Sequence, residues 1–200
     1  MSEPQAAFLR LRINRGDLIR WLDSPIPSAA SWSDWRNIGG SWGGLGNLKE
    51  ASDDELRKQI SQCDASLARH KNRVILDVLL QSAVPHQRCV AFDAGRSEFV
   101  AGSLLCWKNL SVLIMFFTLT RGAANFFKPN DYGITVAHDY TSAPGSESKT
   151  QAALSLGPGA TSEFMSDAGK ASAAGAFQAI ADAMMANPPP TPVDDLKSLR

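Results

Sequence analysis

Hydrophobic and polar residues alternate cleanly from Ala7 to Ile13. Ala7, Leu9, Leu11 and Ile13 share one parity; Phe8, Arg10 and Arg12 share the other. A period of two predicts a strand with one apolar face. Arg15-Gly16-Asp17 interrupts it, and Leu18, Ile19, Trp21 and Leu22 predict a short helix that stops before Pro25. A different period follows at Ser52-Asp53-Asp54-Glu55, a hydroxyl with a glutamate three residues on, which is the form of a capping box. Leu56, Ile60, Cys63 and Leu67 then step by four, three and four, predicting an amphipathic helix over residues 52–72. Val74 to Leu80 fits either a continuation of that helix or a strand.

From Arg88 onward the pattern reads as strands: Arg88–Phe92, Glu98–Trp107, Leu110–Thr118 and Tyr132–Tyr140. Asp93-Ala94-Gly95-Arg96, Lys108-Asn109 and Pro129-Asn130-Asp131 supply turn signals between them. Short connections favour an antiparallel meander over residues 88–140. Leu110–Leu119 is apolar on both parities and is expected to be a central strand covered on both faces. The long apolar stretch Phe99–Leu119 is read as a buried hairpin, because Lys108 and Asn109 at its middle make a membrane span costly. Residues 141–159 read as a connector. Thr161 or Ser162 is expected to cap an Ala-rich helix over 161–187, which Pro188-Pro189-Pro190 would stop. Residues 188–200 read as a Pro-rich flexible tail. The fold class expected is α+β: one domain over 1–187, with a meander of four to five strands packed against helices.

Composition narrows the function. Twenty Lys plus Arg balance twenty Asp plus Glu, which removes the basic face that nucleic-acid binding needs and any global attraction to membranes. Four arginines (Arg10, Arg12, Arg15 and Arg20) still concentrate in the first strand and helix, so a local charged face remains open. The polar start Met1-Ser2-Glu3-Pro4 has no secretory grammar, and three cysteines are too few for a disulfide framework. Together these point to the cytoplasm. Asn109-Leu110-Ser111 matches a glycosylation sequon that is irrelevant without secretion.

Catalytic motifs fail one by one. The glycines Gly39, Gly40, Gly43, Gly44 and Gly46 are not followed by Gly-Lys-Ser/Thr, nor do they form the dinucleotide fingerprint, so no nucleotide cofactor is expected. His86-x-x-Cys89 with Cys63 and Cys106 lacks the paired spacing of a zinc site, so no metal is expected. No Gly-x-Ser-x-Gly marks a nucleophile elbow. His70 sits among Arg69, Lys71 and Arg73 at a helix end, and His138-Asp139 points its two side chains to opposite faces of a strand. Asp77 reads either as a general acid or as the partner of Arg73 or of an arginine in the first strand.

The segment from Ser24 to Glu50 stands apart, with five glycines, two prolines and Trp32, Trp35 and Trp42. Rigid aromatics and arginine dominate binding hot spots, so Trp32, Trp35, Arg36 and Trp42 are the candidate partner-binding residues. The alternatives are a local core and a ligand-stacking surface. A small domain without catalytic grammar that carries a Trp- and Arg-bearing loop resembles, across Ala7–Tyr140, the bacterial immunity proteins. The resemblance implies a protein partner, a cognate toxin whose active site is occluded. The acidic patch such proteins often present finds no support in a net charge of zero. The expectation is therefore a non-enzymatic protein-binding module. A small hydrolase-like enzyme with a dispersed site around His138, Asp139, Asp77 and Arg121 is the alternative. A structural or secretion-accessory component is a third reading, resting on the Ala-rich helix and the tail.

Overall fold

The alternating segment at the N-terminus becomes the middle of a sheet. In the computed structural model, which describes residues 5–42, 45–81, 87–106, 109–138, 150–186, Leu196 and Leu199, β1 spans Gln5–Arg12. It pairs antiparallel with β5 (Glu98–Cys106) on one side and β6 (Tyr132–His138) on the other. β4 (Arg88–Asp93), β7 (Thr150–Gly157) and β8 (Thr161–Phe164) complete a six-stranded antiparallel sheet in the order β4-β5-β1-β6-β7-β8. β2 (Ser41–Trp42) and β3 (Gly46–Asn47) form a separate two-stranded ribbon. The fold is α+β, as the pattern predicts.

The two parities of β1 face two cores. Ala7, Leu9, Leu11 and Ile13 look toward a layer made by α1 (Arg15–Asp23), α2 (Asp53–Leu67), α3 (Asn72–Leu79) and α4 (Leu110–Ala123). Ala6 and Phe8 look toward α5 (Asp167–Met185), where Phe8 stacks on Phe177 with ring centroids 5.3 Å apart. Gly102 lies opposite Phe8 in β5; a Cβ there would come within 2.2 Å of the Phe8 ring and 2.9 Å of the Ala7 carbonyl. The missing side chain lets that ring lie flat across the sheet.

Helix ends follow local chemistry. Ser52 and Glu55 make both halves of the capping box at α2. α2 nevertheless stops at Leu67, short of the expected 72, and Arg69 adopts a left-handed φ of 69°. The chain restarts as α3, so Val74–Leu79 is helical. The buried Asn72 amide ties its first turn to the Trp21 and Ser24 carbonyls at 2.9 and 3.2 Å.

Three expectations are corrected. Leu110–Thr118 is a helix, not a central strand, so residues 88–138 run β-β-α-β rather than as a meander or a hairpin. β5 and β6 both run antiparallel to β1, and α4 makes the crossover between them. Asn109, expected in a turn, is the N-cap: its side chain accepts from the Ser111 N–H at 2.8 Å. A helix apolar all round is one buried all round. α4 has the sheet on one side and α1, α2 and α3 on the other. Second, β7 and β8 occupy what reads as a connector and a helix start; α5 begins only at Asp167, capped by Ser166. Third, Leu196 and Leu199, placed in a flexible tail, are buried in the helical-layer core, and Arg73 donates to the Leu196 carbonyl. Pro188–Pro190 lie outside the described residues. Among those residues no helix is long and apolar enough to cross a membrane.

Asp17, in the first turn of α1, is almost fully buried and receives Asn14, Arg20 and Lys128. The Arg20 hydrogen bond, helped by Asn14 and Lys128 and opposed by burial, lowers its carboxyl from 3.8 to about 2. A depressed folded-state pKa means stabilisation present above the unfolded value and lost as pH falls through the folded one. Urea denaturation across pH should therefore show stability falling between about pH 4 and pH 2. Asp17→Asn should have a shallower loss in that window; parallel curves would remove Asp17 as a source of the acid sensitivity.

Candidate functional site

The Trp-bearing loop turns inward. Trp35 lies in a short 3-10 turn (Trp35–Ile38), is wholly buried, and donates its indole N–H to the Ala29 carbonyl at 2.9 Å. Trp32 sits edge-on to Trp35 at 6.3 Å, and Trp35 edge-on to Phe164 of β8 at 6.4 Å. Into the space between these rings comes Arg121, from the last turn of α4. Its guanidinium carbon lies 5.2 Å from the Trp32 centroid, 4.9 Å from Trp35 and 4.9 Å from Phe164. Its two terminal nitrogens donate to the two Asp34 carboxylate oxygens, both at 2.7 Å. The Arg121 side chain has no solvent exposure, whereas Asp34 retains 32%. A planar cation with a bidentate carboxylate and aromatic faces is the arrangement a guanidinium favours and an ammonium does not.

This corrects the partner-binding assignment of two residues and redefines a third. Trp35 and Trp42 are buried and cannot serve as exposed anchors; the Trp42 indole donates to the Gly39 carbonyl at 2.7 Å. Arg36 clasps the Leu48 and Ala51 carbonyls at 3.0 and 2.6 Å and Asp53 at 2.7 Å. It stitches the loop to the start of α2. Trp32 alone of the four keeps a partly exposed indole that is not hydrogen-bonded to the loop. Sequence could name these residues as unusual, but whether an indole faces in or out depends on Arg121, which lies more than eighty residues away.

Among the described residues the dispersed catalytic set is not brought together. Arg121 belongs to Asp34, and Asp77 pairs with Arg88 at 2.6 Å rather than with Arg73 or an arginine of β1. Arg88 is on β4, three strand spacings from His138 on β6, or about 14 Å across the sheet. Asp139 and His86 lie outside the described residues. Burial pushes the thiols away from the thiolate form, Cys63 up to about 11 and Cys89 and Cys106 up to about 12. Among the described residues no three His, Cys, Asp or Glu side chains gather as metal ligands.

What the structure does assemble is a groove that local sequence did not announce. One cleft of about 580 Å³ runs between Gly39-Gly40, Lys49, Gln151 and the start of α5. A second, of about 530 Å³, continues along α5 past His138, Ala174, Gly175 and Gln178. Thr150, Asp167 and Lys170 line both, so the two clefts adjoin, and together they are called the trough. His138 Nδ1 lies 2.7 Å from Thr150 Oγ1 across the β6–β7 pair. Lys170 Nζ lies 3.1 Å from Asp167. The Gln151 amide donates to the Ile38 carbonyl at 3.1 Å, locking the glycine loop against β7. Gly40 has φ 79°, and a Cβ there would meet the Gln151 amide nitrogen at 2.4 Å. Gly40 thus serves close approach to β7, and among the described residues no helix begins on the glycine cluster as a phosphate loop requires.

Comparison of the chain with known protein families, with curated proteins and with solved structures finds no match.

Removing one partner of a buried ion pair strands the other charge. Asp34→Ala should cost about 3–5 kcal/mol. The double variant Asp34→Ala/Arg121→Met should recover part of that loss, read by urea denaturation followed through tryptophan fluorescence. A single-variant loss below about 1 kcal/mol, the range of an exposed pair, would show that the pair does not hold the loop.

Proposed function

We propose that the protein is a non-enzymatic protein-binding module and that its binding surface is the trough between α5, the start of β7 and the Gly39-Gly40 loop. The observation that carries this reading is the trough itself. One face of α5 (Asp167, Lys170, Ala171, Ala174, Gly175 and Gln178) forms its wall, and small side chains at the centre leave space. By contrast, Asp77, Arg121 and Arg36 are each engaged in separate ion pairs. Within this class, the immunity-protein reading has the loop-bearing α+β domain in its favour. A cytoplasmic setting is supported by three unpaired, largely buried thiols.

One observation favours a second reading, a hydrolase-like enzyme: the His138–Thr150 hydroxyl–imidazole pair opens on the same trough. Covalent labelling of Thr150 by a fluorophosphonate, abolished by His138→Gln, would favour that chemistry. An unlabelled chain leaves the pair as a cross-strand contact.

Gly175 offers a clean test, since nothing lies within 4 Å of a Cβ placed on it. Gly175→Ala should stabilise α5 by roughly 0.5–1 kcal/mol in urea denaturation. Gly175→Leu should fill the trough without harming the fold. A partner captured from native lysate should be lost by Gly175→Leu and kept by Val78→Glu, which alters an exposed site on α3. Loss by the α3 variant with retention by Gly175→Leu would move the interface to the other face of the sheet.

A further inference from the structure

The two outer strands of the sheet are finished differently. β8 has four residues and carries the exposed Glu163; shortness and charge are how natural sheets blunt an edge. β4, at the other end, has six residues, and its register against β5 runs without a bulge. Its centre, Cys89-Val90-Ala91-Phe92, holds neither a charge nor a proline. Val90 is 1% exposed, so its N–H and C=O turn inward to β5. Alternation along an antiparallel strand then turns the main-chain groups of Cys89, Ala91 and Asp93 outward. Ala91 and Asp93 are exposed, and among the described residues no backbone group of β4 bonds outside β5.

Apolar side chains border this edge on both faces of the sheet. On one face Arg88 of β4 holds α3 through Asp77 at 2.6 Å, and α3 exposes Val74 and Val78 one turn apart. On the other, α5 crosses the strands. It starts beside Thr150 of β7, stacks Phe177 on Phe8 of β1, and buries Met184 in the cluster against which Cys89 of β4 packs. Met185 follows and is exposed. Three of the four large hydrophobic side chains exposed among the described residues thus belong to the two helices that border β4.

From these features we infer that β4 is a homodimer interface: a second copy of this chain pairs its β4 antiparallel to this one, about a two-fold axis normal to the sheet at Ala91. The two six-stranded sheets become one. Such an axis keeps each face continuous, so only residues of equal parity stand opposite each other. Ala91 then meets its own copy, and Cys89 meets the partner subunit's Asp93, which matches the outward main-chain groups on both strands. The edge itself favours a second copy over a foreign strand. Its outward groups are centred on a small residue, its uncharged middle offers no electrostatic selection, and the same axis brings the exposed side chains of α3 and α5 toward their own copies. Because β8 is blunted, the assembly closes at two rather than growing. The interface lies at the far end of the sheet from the trough, does not depend on the trough being a binding surface, and leaves it open on both protomers.

Sedimentation equilibrium of the full chain should give twice its 21.5 kDa. Ala91→Pro removes an outward N–H, a change that an edge strand tolerates, and should return the mass to one chain with an unchanged circular dichroism spectrum. Val78→Glu should raise the dimer dissociation constant at least tenfold. Ala91→Cys in a Cys89→Ala background, oxidised with copper phenanthroline, should cross-link into a dimer, because a directly opposed pair lies about 5.5 Å apart between Cα atoms, within disulfide range. The unaltered chain should not cross-link, since its two copies of Cys89 stand four residues apart along the strands, or about 13 Å. A single-chain mass throughout the micromolar range would overturn the dimer. A dimer that survives Ala91→Pro and fails to cross-link at residue 91 would overturn its placement on β4. If Ala91→Pro does not fold, the cross-link decides alone: its formation supports the two-fold pairing and its absence removes it.

Discussion

A guanidinium wholly removed from water at the end of a helix needs a full set of neighbours, and that need organises half of this molecule. Arg121 is held by Asp34 in plane and by Trp32, Trp35 and Phe164 around it. Those residues come from α4, from the long loop and from β8, three segments that share no local periodicity. Desolvating the cation costs several kcal/mol, and only simultaneous contact with all of them offsets it. The loop is therefore fixed in one place although it contains little regular structure. Asp64 adds to this from α2, accepting from Ser28 Oγ at 2.6 Å and from the Ala29 N–H.

Because the loop is fixed, its far end is fixed too. Trp35–Ile38 packs beside β7, and Gly40 reaches Gln151 closely enough that no side chain would fit. The trough is thus a by-product of two independent packing events. One is the loop docked on Arg121; the other is α5 laid on the opposite sheet face by Phe177, Ala173 and Ala181. Along α5 the open space lies at Gly175, where nothing stands within 4 Å of an added Cβ, whereas Gly169 in the first turn is packed against Met165.

Much of the fold was legible because it was local. The alternation of β1, the capping box of α2 and the strands beginning at Arg88 and Glu98 each depend on neighbours within a few residues. α4 was not legible as a helix, since the six consecutive apolar residues Val112–Phe117 suit a strand buried on both faces as well as a helix buried all round. Asn109 was visible there, but a residue that caps helices also makes turns. β7 escaped because Ala152 and Ala153 are both buried, one on each face, which erases the period of two.

The candidate site divides along the same line. Sequence by itself determined an α+β chain with a tryptophan- and glycine-rich loop, buried thiols and no catalytic motif, since each of these is a matter of composition or short spacing. Only the tertiary structure decided that Trp32 and Trp35 pack around the Arg121 cation. It likewise decided that Asp77 belongs to Arg88, and that His138, Thr150 and Lys170 line one trough. Partners of that kind are chosen by which surfaces lie within a few ångströms once the sheet has formed. The free energy of burying a charge or an aromatic ring depends on that whole environment, and no local pattern encodes it.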